Sequence, residues 1–359
     1  MTRVARRRRP FFVTVLAAGF LVAALAVAAP SSASSASSGA TASASGQCPK
    51  TGTVSAKLVP SCGAWWGVSP GGSGSIKTAV ASFENQTGAR TDVYHGYHRL
   101  GDLFPTNDEI ALARDPQGHR YLLLSLLTSN RSTTWRDVAN GKMDGYLDQL
   151  ATRIKTTYRE PFFLTLHHEP ENDVIPAAGS GMQATDFAAM FRHVVTRIRD
   201  TDKVGNVVWV INYQGTQKFK TESWWPSMYP GDDVVDWIGW DSYSCVKPAP
   251  GQPCNDFAQM MNRRFSDTSP WLGMYSWAHT HHPTKPIFVC ELGVYDVGGT
   301  RKADALRTVA AQISRFPQVK AVSYWNSGTT RKAQVDIGQG ALAASATMAQ
   351  SPWFAQSVP

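Results

Sequence analysis

Eight short apolar runs recur between residues 64 and 325, and this recurrence constrains the fold more than any other feature of the chain. They fall at 64–68, 91–97, 121–127, 162–168, 206–213, 234–243, 287–291 and 319–325. Each has the length of a buried strand, and most are rich in β-branched and aromatic residues. Most are separated by segments with helical spacing. One runs from an expected cap at Thr185 through Phe187, Met190, Val194, Val195 and Ile198. Another carries Leu306, Val309, Ile313 and Phe316 on one face of 303–316. Shorter or interrupted helices are expected at 76–85, 108–113, after Asn140, across 256–280 and at 341–350. Apolar strands alternating with helices predict a parallel sheet covered on both faces. Eight such units predict closure into a (β/α)8 TIM barrel, with one catalytic domain over 47–359. An open doubly wound sheet is the rival architecture. The turn after the first run lacks the G-x-G-x-x-G fingerprint, and no Gly-Lys-Ser/Thr follows the glycines at 71–74.

The first 46 residues read as something other than fold. Arg6, Arg7, Arg8 and Arg9 form a basic head before an apolar run at 11–29, with a small-residue cleavage pattern at Ala26-Val27-Ala28. Residues 1–28 are therefore read as a signal peptide, with an uncleaved anchor as the alternative. Residues 29–46 are Ser/Ala-rich and read as a disordered linker. The formal charge is +8. Five arginines (Arg3 and those at 6–9) and no acids lie in residues 1–46, which leaves +3 for the remainder. That is too weak to suggest nucleic acid as a partner. The expectation is a secreted, extracellular monomer with no membrane attachment after cleavage and no cofactor. Five cysteines fit an oxidising compartment, and their short spacings favour Cys48–Cys62 and Cys245–Cys254. Cys290, inside an apolar run, reads as a buried inert thiol.

Two runs end in a single acid. The run at 161–168 stops at His167-His168-Glu169-Pro170, where proline cannot continue a ladder. The run at 286–290 delivers Glu291. In a parallel α/β fold, chemistry gathers at the carboxyl ends of strands. On that reading one cup collects Trp65 or Trp66, His95, Tyr97, His168, Glu169, Asn212, Tyr213, Asp241, Tyr243, Glu291, Trp325 and Asn326. Two carboxyls from two strands are what glycosidic hydrolysis needs, one protonated for the leaving oxygen and one ionised for the anomeric carbon. Glu171 reads as a solvated loop carboxylate. Asp232, Asp233 and Asp236 read as turn and surface groups, His279, His281 and His282 as a solvated loop, and Trp209 and Trp237 as core.

From about Trp65 onward the residues resemble glycoside hydrolase family 26, within a clan of retaining (β/α)8 glycosidases. The resemblance rests on His168-Glu169, on Val207-Val208-Trp209-Val210-Ile211-Asn212, on the segment from Tyr229-Pro230-Gly231-Asp232-Asp233 to Asp241-Ser242-Tyr243, and on Lys285-Pro286 through Glu291-Leu292-Gly293. It implies that Glu169 is the acid/base and Glu291 the nucleophile. It also implies that Tyr243 hydrogen-bonds the nucleophile, that Trp325 floors the −1 subsite and that His168 lies beside the sugar 2-hydroxyl. His95, Tyr97, Asn212 and Trp66 complete the expected substrate-binding set. The implied partner is a polysaccharide or oligosaccharide. The implied activity is endo-β-1,4-mannanase, with β-1,3-1,4-glucanase (lichenase) or β-xylanase as alternatives on the same scaffold. Family mannanases carry Arg and Pro before the His-Glu pair and a Trp after it. Here the stretch reads Leu164-Thr165-Leu166-His167-His168-Glu169-Pro170-Glu171, a departure that bears on substrate more than on chemistry.

Two rival functions follow from the same residues. His95, His98, His167, His168 and Glu169 could serve a metal-dependent hydrolase, although no His-Glu-x-x-His is present. A non-catalytic barrel could hold polysaccharide on its tryptophans, but both carboxylates are in place.

Overall fold

The computed structural model describes residues 48, 52–71, 74–264, 266, 268–327 and 332–359. The expected leader (1–28) and linker (29–46) lie outside them. The eight strands are β1 Trp65–Ser69, β2 Val93–His98, β3 Tyr121–Leu126, β4 Phe162–Leu166, β5 Val207–Gln214, β6 Trp237–Ser244, β7 Ile287–Val294 and β8 Val319–Trp325. They pair in parallel and in sequence order, and β1 pairs with β8 to close the barrel. The helices are α1 Ile76–Thr87, α2 Asn107–Ala113, α3 Trp135–Ala139, α4 Asp144–Thr157, α5 Ala184–Val195, α6 Phe257–Met261, α7 Met274–His281, α8 Arg301–Gln312 and α9 Ala341–Ala349. The architecture is the expected (β/α)8 barrel. Among the described residues no helix is long and apolar enough to cross a membrane.

Several boundaries move for local reasons. The run at 234–243 becomes a strand only from Trp237, because the Asp236 carboxylate takes the backbone N–H of Trp209 at 2.9 Å. Helix α5 begins at Ala184, one residue before the expected cap at Thr185; Asp186 accepts the N–H of Gln183 at 2.9 Å and closes the first turn. The stretch 256–280 splits into α6 and α7. His279 and His281 lie on α7 rather than in a loop, and His282 at its end packs on the Tyr229 ring, centroids 4.2 Å apart.

The period-2 alternation of strands divides the apolar residues into two cores. Inside the barrel lie Trp65, Val93, Leu123, Phe163, Val208, Val210, Trp237 and Phe288, with the Cys290 thiol among them. The larger core between strands and helices holds the alternate residues, including Trp66, Leu164, Trp209 and Ile211. The barrel base is closed by residues 52–60. The indole N–H of Trp65 donates to Leu58 O, and that of Trp237 to Lys57 O, both at 2.7 Å. Disulfides join Cys48 to Cys62 at the base and Cys245 to Cys254 just beyond β6, as their spacings suggested.

This alternation corrects two expected cup residues. Trp65 points into the barrel, so its neighbour Trp66 points out and is wholly buried against Phe83, Tyr324 and Phe354. Tyr213 is likewise turned out of the cup, against Trp225 and Trp277. Trp66→Ala should therefore cost about 3–5 kcal/mol of stability, the usual range for emptying an aromatic core site. Denaturant unfolding checks this; a stable variant with lost ligand binding would return Trp66 to the cup.

Candidate active site

At the carboxyl ends of the strands opens a cleft of about 490 Å³, lined by Glu169, Asp241, Tyr243, Arg263, Glu291 and Trp325 among others. A larger cavity of about 700 Å³ lies beside α6 and α7, with Arg263, Arg264 and Arg315 in its wall. It contains no pair of acids, so its size does not make it the reactive site.

Glu291 is placed by an irregularity. Cys290 points into the barrel, so strict alternation would send Glu291 outward. The β6–β7 register skips a residue, from Trp240↔Val289 to Asp241↔Glu291. Such a bulge re-aims a side chain, and here the carboxylate turns into the mouth. It is 7 % exposed. Glu291 is also not the last residue of its strand, since β7 continues to Val294. Two phenols donate to the carboxylate: Tyr97 Oη to Oε1 at 2.5 Å, and Tyr243 Oη to Oε2. Burial pushes the Glu291 carboxyl up, and these two hydrogen bonds oppose it. The Tyr243 ring occupies the space above Gly293, where a Cβ would meet ring carbons at 2.4 Å. The glycine of the Glu-x-Gly motif is thus the slot for the phenol.

His95 works beneath Tyr97. Its Nδ1 faces Cys290 O at 3.1 Å and Tyr97 Oη at 3.3 Å; its Nε2 faces Ser125 Oγ at 2.9 Å. A carbonyl only accepts, so Nδ1 carries the proton and Nε2 accepts from the serine. Burial, then His168, lowers the ring to about 3, which keeps it neutral. Buried as it is, His95 supports a cup residue rather than lining the cup. Tyr97 is exposed to the cleft and meets Trp325 edge-on at 5.7 Å and His168 at 5.2 Å.

The Glu169 strand end is built differently. His167 and Glu169 both adopt left-handed backbone (φ 59° and 47°). For non-glycine residues that conformation costs about 1–2 kcal/mol each, so the surroundings must hold them there. The two kinks turn His167 outward, where its ring meets the Trp135 indole N–H at 3.2 Å and the Asp173 carboxylate at 2.8 Å. They leave His168 and Glu169 facing the cleft. Asn172, on the turn Pro170–Asn172, donates its amide to Glu169 Oε2 at 2.8 Å, and Gln214 donates to Asn172 Oδ1 at 3.0 Å. Burial first, then the charges of Glu291 and Glu171, raise the Glu169 carboxyl to about 7. His168 is lowered to about 4, by burial and then by His167. It stands neutral beside the acid.

A third acid lies between these two. Asp241 is buried and receives both of its hydrogen bonds from the Asn212 amide, at 3.0 and 3.1 Å. Burial, then Glu291 and Glu169, push it well above the carboxylate range. Asn212 is therefore a support for Asp241 within the barrel, not a wall of the cleft. The histidines considered as metal ligands do not converge. His98 stacks on Phe104 at 4.4 Å and pairs with Glu109 at 3.0 Å, while His95 and His167 are engaged as above. Among the described residues no three His, Cys, Asp or Glu are arranged to hold a metal ion.

Residues 129–264 match the Glycosyl hydrolase family 26 profile. Over that segment the chain is similar to glycosyl hydrolase family 26. The matched segment includes Glu169, Asp241 and Tyr243 and stops before Glu291. Among curated proteins, the chain is 24 % identical to an Endoglucanase H of Acetivibrio thermocellus over 287 residues, covering 79 % of this chain and 29 % of that protein. It is 30 % identical to a β-1,3-xylanase of a Vibrio species over 159 residues, 44 % of this chain and 28 % of the relative. The match thus spans less than a third of either relative's own length. Among solved structures, an endo-β-1,4-mannanase double mutant from Cellulomonas fimi superposes with a TM-score of 0.56 at 18 % identity, over 81 % of this chain and 71 % of that one. At that identity the likeness concerns the barrel fold.

Sequence reasoning missed one residue of the site, Glu171. It was read as solvated, yet it is 1 % exposed. Lys220 Nζ donates to its Oε1, Trp225 Nε1 donates to the same oxygen at 3.3 Å, and Gln214 N donates to Oε2 at 3.0 Å. A glutamate two residues after the acid, on a turn opened by proline, is the available signal, but its partner lies 49 positions downstream. Asn172 was missed as well.

The two phenols yield a direct test. A hydrogen bond to a charged group contributes about 1.5–3 kcal/mol, equivalent to roughly one to two pK units. Both bonds favour the ionised form, so Tyr97→Phe or Tyr243→Phe should raise the Glu291 pKa by that amount. Carboxyl NMR or infrared titration of the free protein reads it, and an unmoved pKa would mean that the phenols do not hold the charge.

Proposed function

We propose that the protein is a retaining glycosidase acting on a β-linked polysaccharide, with Glu169 as acid/base and Glu291 as nucleophile. The observation that carries this is a single cleft with two carboxyls in unlike surroundings. Glu291 has two phenolic donors that favour its charge. Glu169 has one amide donor and two nearby acids that favour its proton. Two acids this close do not both ionise readily, and these surroundings favour the shared proton on Glu169.

The chemistry follows in two displacements. Ionised Glu291 attacks the anomeric carbon and forms a glycosyl ester. The glycosidic oxygen leaves with the proton of Glu169. The resulting Glu169 carboxylate then takes a proton from water, whose oxygen attacks the same carbon and releases Glu291. Neutral His168 can hydrogen-bond a sugar hydroxyl without adding charge. Trp325 offers an apolar ring face for the sugar.

The substrate we infer is β-1,4-mannan, in line with the family motifs and with the likeness to mannanase barrels. A second reading, β-1,3-xylan, is favoured by the 30 % identity to a β-1,3-xylanase and by the loss of the Arg-Pro pair before His168-Glu169. The leader-like start and the two disulfides support action outside the cell.

A reducing-sugar screen over mannan, galactomannan, lichenan, β-1,3-xylan and β-1,4-xylan tests the substrate. Release from mannan alone supports the first reading, and release from β-1,3-xylan alone replaces it with the second. Glu291→Ala should lose turnover on any of them, and azide should restore activity on an aryl glycoside with the opposite anomer as product. Failure of rescue, or a carboxyl separation of about 6.5–9.5 Å in place of about 5–5.5 Å, would remove the nucleophile role.

The pH profile has a definite sign. Glu169 must be protonated and Glu291 ionised, so kcat/KM should fall as pH rises through about 7, following the Glu169 value, and fall again on the acid side. Glu169→Gln should abolish the alkaline limb. It should also harm natural substrates far more than aryl glycosides, whose leaving groups need little protonation. Equal losses on both would make Glu169 structural.

A further inference from the structure

We propose that the buried Glu171–Lys220 ion pair is a positioning device for Glu169: Glu171 anchors the turn that carries the acid/base, and Lys220 supplies the counter-charge that hides the anchor from it. This rests on the acid/base reading of Glu169. The turn Pro170–Asn172 divides its side chains between two sides. Glu169 and Asn172 line the cleft, while Glu171 is buried beneath it. There it is held by three donors from β5 and the loop after it: Gln214 N, Lys220 Nζ and Trp225 Nε1. Lys220 is enclosed in turn, its Nζ 5.0 Å from the Tyr213 ring centre and 4.7 Å from that of Trp225. Both side chains of the pair are fully shielded from solvent.

Stability alone is a poor reason for such a pair. Desolvating two charges commonly offsets their attraction, and apolar residues of similar volume often serve as well. What a carboxylate offers here is two acceptor oxygens for three donors, which fixes a turn whose backbone is left-handed at Glu169. The difficulty is that an isolated charge two residues from the acid/base would raise Glu169 further. Lys220 acts on Glu169 in the opposite direction. The pair therefore grips the turn while its two charges oppose each other at the cleft. Other groups that face Glu169 are Glu291 from β7, Asp241 from β6, His168 next in sequence, and Arg263, which lines the same cleft after α6. None of them is altered by the substitutions below.

The test compares kcat/KM against pH for wild type, Glu171→Gln, Lys220→Met and the double variant, on a substrate that wild type cleaves. Lys220→Met leaves the anchor's charge uncompensated, so the alkaline limb should move up by about half to one pH unit. Glu171→Gln leaves the lysine's charge, and the limb should move down by a similar amount. The double variant should return the limb to the wild-type position, with kcat reduced by loosened positioning. Limbs that stay in place in folded single variants overturn the proposal. Should a single variant fail to fold, Lys220→Arg provides the deciding arm, because it keeps the charge and moves its seat. The limb should hold while kcat falls at unchanged KM; an unchanged kcat, or a shifted limb, overturns it. Wild-type inactivity on every glycan, or an alkaline limb that survives Glu169→Gln, sinks the acid/base reading instead, so the two failures are distinguishable.

Discussion

On the proposed mechanism the structure turns on one constraint, a carboxylate that has to be charged in a nearly dry site. Burying an ionised carboxylate without partners is prohibitive, and such groups ordinarily take up a proton. Burial pushes the Glu291 carboxyl up, and two phenols from different strands reach it and oppose that rise. Much of the upper barrel can be traced to that requirement. Tyr97 is buttressed by His95, which is oriented by Ser125 and by the carbonyl of Cys290. Tyr243 needs the empty space over Gly293. The carboxylate itself needs the skipped register between β6 and β7 to face the mouth. These features lie on β2, β3, β6 and β7, and a closed barrel brings their ends within reach of one another.

The acid on the opposite side obeys a different rule. Burial, then the charges of neighbouring acids, raise Glu169 to about 7, with a single amide to orient it. The contrast arises from local backbone. On β7 one extra residue turns a side chain inward. After β4, two left-handed residues do so and bracket His168 between an outward histidine and an inward glutamate. The strain is held on both sides, by the contacts of His167 with Trp135 and Asp173 and by the three donors on Glu171. Asp241 and Asn212 fill the space between, adding polar volume to the floor.

The barrel was legible because each strand is a compact apolar run bounded by polar turns, and β8 at 319–325 coincides with its run. Glu169 and Glu291 stand out in the sequence because each is a single acid reached by an apolar run. What failed was information that a linear pattern does not contain. Trp65 and Trp66 are adjacent and alike, and only the phase of the pleat decides which one faces the barrel. Asn212 and His95 lie within β5 and β2, one level below the cup. Glu171 looked solvated because glutamate usually is, and nothing near it announces a lysine contributed by the next loop. Thr185 is a good cap by composition, but Asp186 supplies the bond that starts α5 two residues earlier than a cap at Thr185 would.

The closure of the barrel base has a practical consequence. Residues 52–60 seal the bottom through the carbonyls of Lys57 and Leu58, and Ala64 N donates to Trp353 O at 3.0 Å, bringing the C-terminal segment to the same end. Both ends of the described chain therefore emerge on the side away from the cleft. A tether, tag or solid support attached at either end would leave the mouth facing outward, open to a long polymer sliding across it.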